Sequence, residues 1–127
     1  MRHVESRIQQ TMVRWFRMQY PKIGNLLFSV PNGGTRFLRE AVTLKKEGLV
    51  AGVSDLILLI PNGKYGALCI EVKTPDKNSR QSKSQKEWQA LVESVGVKYV
   101  VVRDFYEFVK EVKQYLSQVV KEDIGLL

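Results

Sequence analysis

Two seven-residue runs in the middle of the chain, SDLILLI at 54–60 and ALCIEVK at 67–73, flank a turn cluster, PNGKYG at 61–66. Both have the length and the Ile, Leu and Val content of strands, and the Pro, Asn and Gly between them predict a hairpin. No other feature narrows the fold as much, because a hairpin decides which residues of two strands become neighbours. If the turn centres on Gly63, facing residues carry numbers that total 126, and Asp55 lies across from Glu71. Such a pair has Cα atoms within about 5.5 Å.

Successive strand side chains point to opposite faces, so Ile70 and Val72 look one way while Cys69, Glu71 and Lys73 look the other. A charge in an apolar run is costly unless its face is wet or a partner is supplied. Either Glu71 and Lys73 form a solvated ion pair on an edge strand, or their face lines a site. Asp55 bears on that choice. Two adjacent carboxylates repel, and burial raises their pKa values unless a cation separates them. A hard divalent ion such as Mg²⁺, held by one or two carboxylates and water, resolves the conflict. Lys73, one pleat from Glu71, could then hold or deprotonate a water beside that ion, or offset charge on a phosphorus-bound oxygen.

Glu-x-Lys alone says little, since Glu111-Val112-Lys113 repeats it. That copy falls in a predicted helix, where residues two apart do not share a face, and no acid on a paired strand accompanies it. It reads as a solvated surface pair.

Elsewhere, Val4, Ile8, Met12, Trp15 and Phe16 recur at helical spacing and predict a helix over 3–20, ended by Pro21. At about 100° per residue, Glu5 falls inside that apolar arc. It is either a core-facing acid that needs a partner or a first-turn residue reaching solvent, favoured there by the helix dipole. NLLFSV at 25–30 reads as a short strand closed by PNGG at 31–34. A second helix over 36–47 presents Phe37, Leu38, Ala41 and Leu44, with Gly48 at a left-handed C-terminal position. The polar stretch at 74–84 reads as an exposed loop, and a helix from near Ser84 carries Trp88, Leu91, Val92 and Val95 up to Gly96. VKYVVV at 97–102 predicts a strand buried on both faces. Asp104 and Glu107 form a capping-box pattern for a last helix with Phe105, Phe108, Val109, Val112 and Leu116. Trp15 and Trp88 sit at core spacing. The order is helix, strand, helix, two strands, helix, strand, helix, in a single domain over 1–127 without internal repeats.

Composition restricts the partners. Twenty Lys and Arg against thirteen Asp and Glu give +7 and a pI of about 9.6, which favours a polyanion, nucleic acid before acidic membrane. No apolar run approaches a membrane span, and MRHVESRIQQ lacks the apolar core of a secretory signal. One cysteine and one histidine leave no internal disulfide and no Cys- or His-based metal site. Cys69 reads as a buried strand residue, and the chain as cytoplasmic and reduced. Asn32 and Arg36 either serve turn chemistry and the surface or approach a phosphate backbone. Lys77, Arg80, Lys83 and Lys86 are either a solvated run or a phosphate-gripping rim beside Lys73. Gln85 either caps its own helix or reaches a water or phosphate at the site.

NGGTR (32–36), GLVAGVSDLILLIP (48–61), IEVKTPD (70–76) and SKSQKEWQ (82–89), in this order, resemble the VRR-NUC family of the PD-(D/E)xK nuclease superfamily, in its stand-alone, phage-type form. The resemblance spans residues 5–102. It implies a restriction-endonuclease-like α/β fold: a mixed four-stranded sheet flanked by helices in the order αβαββαβα. Carried across by position, it makes Asp55 and Glu71 metal ligands with the Val72 carbonyl a third, Glu5 the helix-one acid, Lys73 the catalytic lysine and Gln85 the glutamine after the core motif. Ser54 stands where the superfamily name has Pro, which leaves Asp55 intact.

The activity implied is a Mg²⁺- or Mn²⁺-dependent deoxyribonuclease. Short stand-alone members resemble homodimeric four-way-junction resolvases, so branched DNA, a second copy of the chain and the cytoplasm of a bacterial or phage-infected cell are the implied setting. Three rivals remain. One is a flap, nick or other endonuclease of the same fold. Another is a catalytically silent nucleic-acid-binding module, which has no use for clustered acids facing an anionic ligand. The last is a small structural subunit.

Overall fold

The computed structural model describes residues 2–31, 38–76, 79–119, 125 and 127. Asn32, Arg36, Phe37 and Lys77 therefore lie outside the described residues.

Helix α1 (Arg2–Gln19) buries Met12 and Phe16 completely and packs Ile8 and Trp15 against the same core. Val4, on the same stripe, is exposed at the helix start. Pro21 does more than end α1. It opens a 3-10 segment, Pro21–Leu26, because its missing N–H is harmless in a first turn. Arg17 fastens this segment with Nε to the Gly24 carbonyl at 3.3 Å and Nη2 to the Leu27 carbonyl at 3.2 Å. The first strand is correspondingly short, β1 (Leu27–Ser29), and α2 (Leu38–Lys46) follows. Gly48 after α2 has φ +109°, the left-handed conformation expected there.

The hairpin is β2 (Leu56–Leu58) and β3 (Leu68–Val72), antiparallel, with Leu56 facing Ile70, Ile57 facing Cys69 and Leu58 facing Leu68. This is the register read from the turn. The connection is held by Asn62: its Oδ1 accepts the Lys64 and Tyr65 N–H groups at 2.8 and 2.6 Å, and its Nδ2 donates to the Tyr115 carbonyl at 3.0 Å. Helix α3 (Lys83–Ser94) crosses over to β4 (Lys98–Val102), parallel to β3, and α4 (Phe105–Leu116) closes the chain of elements. The sheet order is β1-β2-β3-β4, mixed, with α1 and α4 on one side and α3 on the other.

Even-numbered β2 and β3 residues (Leu56, Leu58, Leu68, Ile70, Val72) pack with Met12, Phe16, Phe108, Val112 and Tyr115 into the main core. Trp15 sits edge-on to Tyr20, Phe105 and Phe108, with centroids 6.0–6.1 Å apart. The opposite face holds a smaller cluster under α3: Cys69, Val92 and Tyr99, flanked by Ile57 and Trp88. Both tryptophans are thus packing residues. β4 is covered on both faces but half-buried at Lys98, Val100 and Val101, because it lies at the sheet edge. No described helix is long and apolar enough to cross a membrane.

Two local readings change. Asp104 caps α4 by accepting the Glu107 N–H at 2.8 Å, but the Glu107 carboxylate takes the Arg103 N–H at 2.6 Å instead of the cap's own. The reciprocal box is at α3, where Ser82 Oγ accepts the Gln85 N–H and Gln85 Oε1 accepts the Ser82 N–H. Glu111 pairs with Lys98 at 3.8 Å and not with Lys113, which lies two residues along the helix.

Candidate active site

The β2–β3 ladder stops at Leu56 and Ile70, and the next facing residues are Asp55 and Glu71. Asp55 is fixed from two sides. Its carbonyl accepts the Val30 N–H at 2.9 Å, tying it to the end of β1, and its Oδ2 accepts the Val72 N–H at 2.7 Å. The carboxylate stands in for the backbone acceptor that a longer β2 would offer to β3. Ser54 beside it is fully buried. Its Oγ and Trp88 Nε1 make no well-formed hydrogen bond among the described residues, yet both lie close to the Cys69 thiol. Burial pushes that thiol's pKa up, and the two neighbours partly offset the rise.

Glu71 is 1 % exposed and points into the α3 layer. Gln85 Nε2 donates to its Oε2 at 3.1 Å, and the Tyr99 hydroxyl donates to its Oε1 at 3.4 Å. Burial first, then hydrogen bonding to Asp55 and the charge of Asp55, push its pKa up to about 9, while Lys73 and Tyr99 pull the other way. Without a cation the Glu71 carboxyl therefore holds its proton at neutral pH. Burial, and the neighbouring acids, likewise raise the Tyr99 phenol above its usual range.

This is the state expected of a site built for a cation. Two acids are forced together, one of them buried, so ionising both at once calls for positive charge between them. The donors on hand are hard oxygens, as Mg²⁺ and Mn²⁺ require. Among the described residues no three His, Cys, Asp or Glu side chains converge as a metal cage. Two carboxylates with a backbone carbonyl and water remain, a sparse set that suits an ion which keeps much of its hydration.

Glu5 is half-buried on α1, across the sheet from the α3 layer. It shares with Asp55 a cleft of about 570 Å³, whose walls also include Gln9, Arg14, Arg17 and Ser29. The fold brings Glu5 to Asp55 but not into one cluster with Glu71. Asp55, at the end of the sheet, is reached from both sides. Lys73 follows β3 directly, half-buried, with its N–H on the Val102 carbonyl at 2.9 Å. Val72, the last β3 residue, keeps its side chain in the main core while its N–H serves Asp55. Gln85 does both things open to it, closing its own cap with Oε1 and holding Glu71 with Nε2. Arg80, Lys83 and Lys86 are exposed around the start of α3.

Four residues went unread in the sequence. Tyr99 faces Glu71 because Cys69 and Tyr99 are register partners in the parallel β3–β4 pair, and residues two apart share a face. The signal, a lone Tyr in an apolar strand, needs that register to be seen. Gln81 touches Tyr99 at 3.1 Å. Arg103 donates to the carbonyls of Thr74 at 2.9 Å, Asp76 at 3.3 Å and Ser79 at 2.6 Å, pinning the loop after Lys73. Arg14 lines the Asp55 cleft and makes no hydrogen bond or ion pair to any described residue.

The sequence profile of the VRR-NUC domain matches residues 1–104. Among solved structures, one titled "VRR_NUC domain protein" is similar, with a TM-score of 0.79 and 28 % identity over 91 % of this chain and 90 % of that one. No curated protein matches the sequence.

Proposed function

The chain belongs to the VRR-NUC family, nucleases of the PD-(D/E)xK type, and on that premise we propose that it is a Mg²⁺- or Mn²⁺-dependent endodeoxyribonuclease that cuts branched DNA, four-way junctions foremost, as a homodimer. The observation that carries the proposal is a buried Glu71 carboxyl set against Asp55 at the end of the hairpin ladder, with Lys73 two residues on. A binding module would have no reason to keep such a pair facing a polyanion.

Asp55 and Glu71, with the Val72 carbonyl, would hold the divalent ion, and Glu5 would act on it from the α1 wall of the Asp55 cleft through water, not as a direct third acid. When bound, such an ion activates water for in-line attack at phosphorus and draws charge off the phosphoryl oxygens. The remaining work falls to the chain itself. Lys73 orients the attacking water or takes its proton, and its ammonium offsets charge on a non-bridging oxygen. Gln85 holds the Glu71 carboxyl in place. Arg80, Lys83 and Lys86, with Asn32, Arg36 and Lys77, supply phosphate contacts, which position the duplex without reading sequence.

One active site cuts one strand. Symmetric incision of two opposed strands at a junction calls for two copies about a two-fold axis. With about six phosphates engaged, log K for binding falls with log salt at a slope near −5.

The test is cleavage of end-labelled four-way junction, flap, nicked duplex and linear duplex in Mg²⁺ or Mn²⁺ against EDTA, for wild type, Asp55→Asn and Lys73→Ala. Junction cleavage that disappears in EDTA and in both variants is expected. Undiminished cutting by the variants removes the mechanism. Equal cutting of linear duplex and junction, or a monomer by light scattering, removes the junction and dimer assignment and leaves the nuclease.

A further inference from the structure

Glu71 accepts a hydrogen bond on each oxygen, and the direction of both bonds is imposed from outside the site. On Oε2 the cause is short: Gln85 Oε1 is taken by the Ser82 N–H at 2.8 Å, so the amide nitrogen is the end that faces Glu71. On Oε1 the cause lies four residues away. A carboxylate such as Glu93 only accepts, so Gln89 turns Nε2 toward it at 3.3 Å and presents Oε1 to Gln81. Gln81 answers with Nε2, at 2.9 Å from Gln89 Oε1 and 3.1 Å from the Tyr99 hydroxyl. The hydroxyl oxygen is thereby an acceptor, and its single proton is left for Glu71 Oε1. Each amide in this chain has one orientation consistent with its neighbours.

We propose that Tyr99 and Gln81 are positioning residues for Glu71. Together with Gln85 they occupy the lone pairs of Glu71 that face α3 and leave the others directed at Asp55. Tyr99 is suited to this: it is 6 % exposed, wedged with Cys69 and Val92 beneath α3, and its hydroxyl cannot swing to water. Gln81 adds the element that keeps the hydroxyl pointed, since a phenol with no donor against it is free to rotate about its C–O bond.

The assignment rests on Glu71 being a ligand for the divalent ion, so Mn²⁺ binding without DNA is the primary readout, measured by calorimetry, with cleavage kinetics beside it. Tyr99→Phe keeps the ring and deletes the hydroxyl. The expected result is a loss of Mn²⁺ affinity of about 10- to 100-fold, the range for residues that orient a metal ligand, with kcat reduced and KM for DNA unchanged. Gln81→Ala lowers affinity in the same direction by less. The double variant is no worse than Tyr99→Phe, because both act through one hydroxyl. A Tyr99→Phe protein that melts lower in EDTA yet binds Mn²⁺ like wild type has lost packing only, and the proposal falls. Additive effects of the two substitutions overturn the chain as well. If Tyr99→Phe does not fold, Gln81→Ala decides, and wild-type Mn²⁺ affinity in that variant refutes the proposal. Asp55→Asn is the reference for lost binding. A wild-type protein indistinguishable from it removes the nuclease assignment along with this one.

Discussion

Asp55, one residue past the last rung that β2 and β3 share, accepts on Oδ2 the backbone N–H of Val72 at 2.7 Å. On the proposed function Asp55 has two jobs with different requirements, and this bond belongs to the structural one. Ending the ladder needs only an acceptor, and holding a cation needs a charge. Asp55→Asn keeps an oxygen for Val72 and turns an amide toward Glu71, relieving the clash of acids. We expect it to abolish cleavage while its melting temperature in EDTA matches or exceeds wild type. Asp55→Ala leaves the Val72 N–H without its partner, which costs about 1–3 kcal/mol. It should lose cleavage and melt lower. Cleavage assays and thermal melts of the two variants separate the roles, and equal melting of both would remove the structural one.

The Glu71 carboxyl fixes a dependence on pH. Its pKa rises from an ordinary 4.5 to about 9 on folding, chiefly through burial. Between those values the folded chain keeps a proton that the unfolded chain has released. Metal-free stability is therefore greatest below the lower value and falls as pH climbs toward the upper one, by at most about 1.4 kcal/mol per pH unit from this group. A divalent ion must displace the proton, so Mn²⁺ affinity should rise up to about tenfold per unit from pH 6 to 8, releasing close to one proton per ion. Calorimetry in buffers of different ionisation heat measures that release. Glu71→Gln mimics the neutral acid: it should bind no Mn²⁺, show a flatter melting temperature between pH 6 and 9, and exceed wild type at the alkaline end.

The hairpin was legible because Pro, Asn and Gly mark a turn between two apolar runs, and the centre of that turn decides which residues face each other. That single register carries Asp55 to Glu71, and with it the centre of the candidate site. What stayed hidden depends on pairings between distant segments. Tyr99 reaches Glu71 only through the parallel β3–β4 register, which no turn dictates. The helical wheel placed Glu5 on an inward arc but could not say which residue it would meet; the packing of α1 delivers it to Asp55's cleft. Pro21 read as a stop, yet proline is equally at home in the first turn of the 3-10 segment that shortens β1. The Glu107 carboxylate missed the cap because a flexible side chain took the nearest N–H, that of Arg103.

Gly52 should be as sensitive to substitution as the acids, for a steric reason. It has φ +84°, and a Cβ there would run into the Ser84 carbonyl and the Gln85 nitrogen at the start of α3. Gly48 has φ +109° with nothing near an added Cβ. Gly48→Ala therefore meets only backbone strain, about 1–2 kcal/mol, and should cut DNA normally once folded. Gly52→Ala carries the same strain and also displaces α3, pulling Gln85 off Glu71. It should melt well below Gly48→Ala and lose most of its cleavage. Comparable melting and activity in the two variants would show that the Gly52–Ser84 contact does not set the position of Gln85.

Arg14 and Arg17 stand on the same wall of the Asp55 cleft with opposite prospects. Arg17 is spent on the carbonyls of Gly24 and Leu27 and stitches the 3-10 segment to α1. Arg14 is exposed, with no hydrogen bond or ion pair to a described residue, a guanidinium left over beside the acids. A phosphate flanking the scissile one is the partner such a group fits, through two parallel N–H···O bonds. Arg14→Ala should weaken junction binding in Ca²⁺ or EDTA, reduce the magnitude of the log K against log salt slope by about 1, and leave the melting temperature alone. Arg17→Ala should do the reverse, lowering the melting temperature by removing both bonds that fasten the 3-10 segment to α1 and changing the salt slope little. Fluorescence anisotropy across a salt series, paired with thermal melts, tells them apart. An unchanged slope in Arg14→Ala would take the phosphate path off this side of the cleft and leave it to the basic rim at the start of α3.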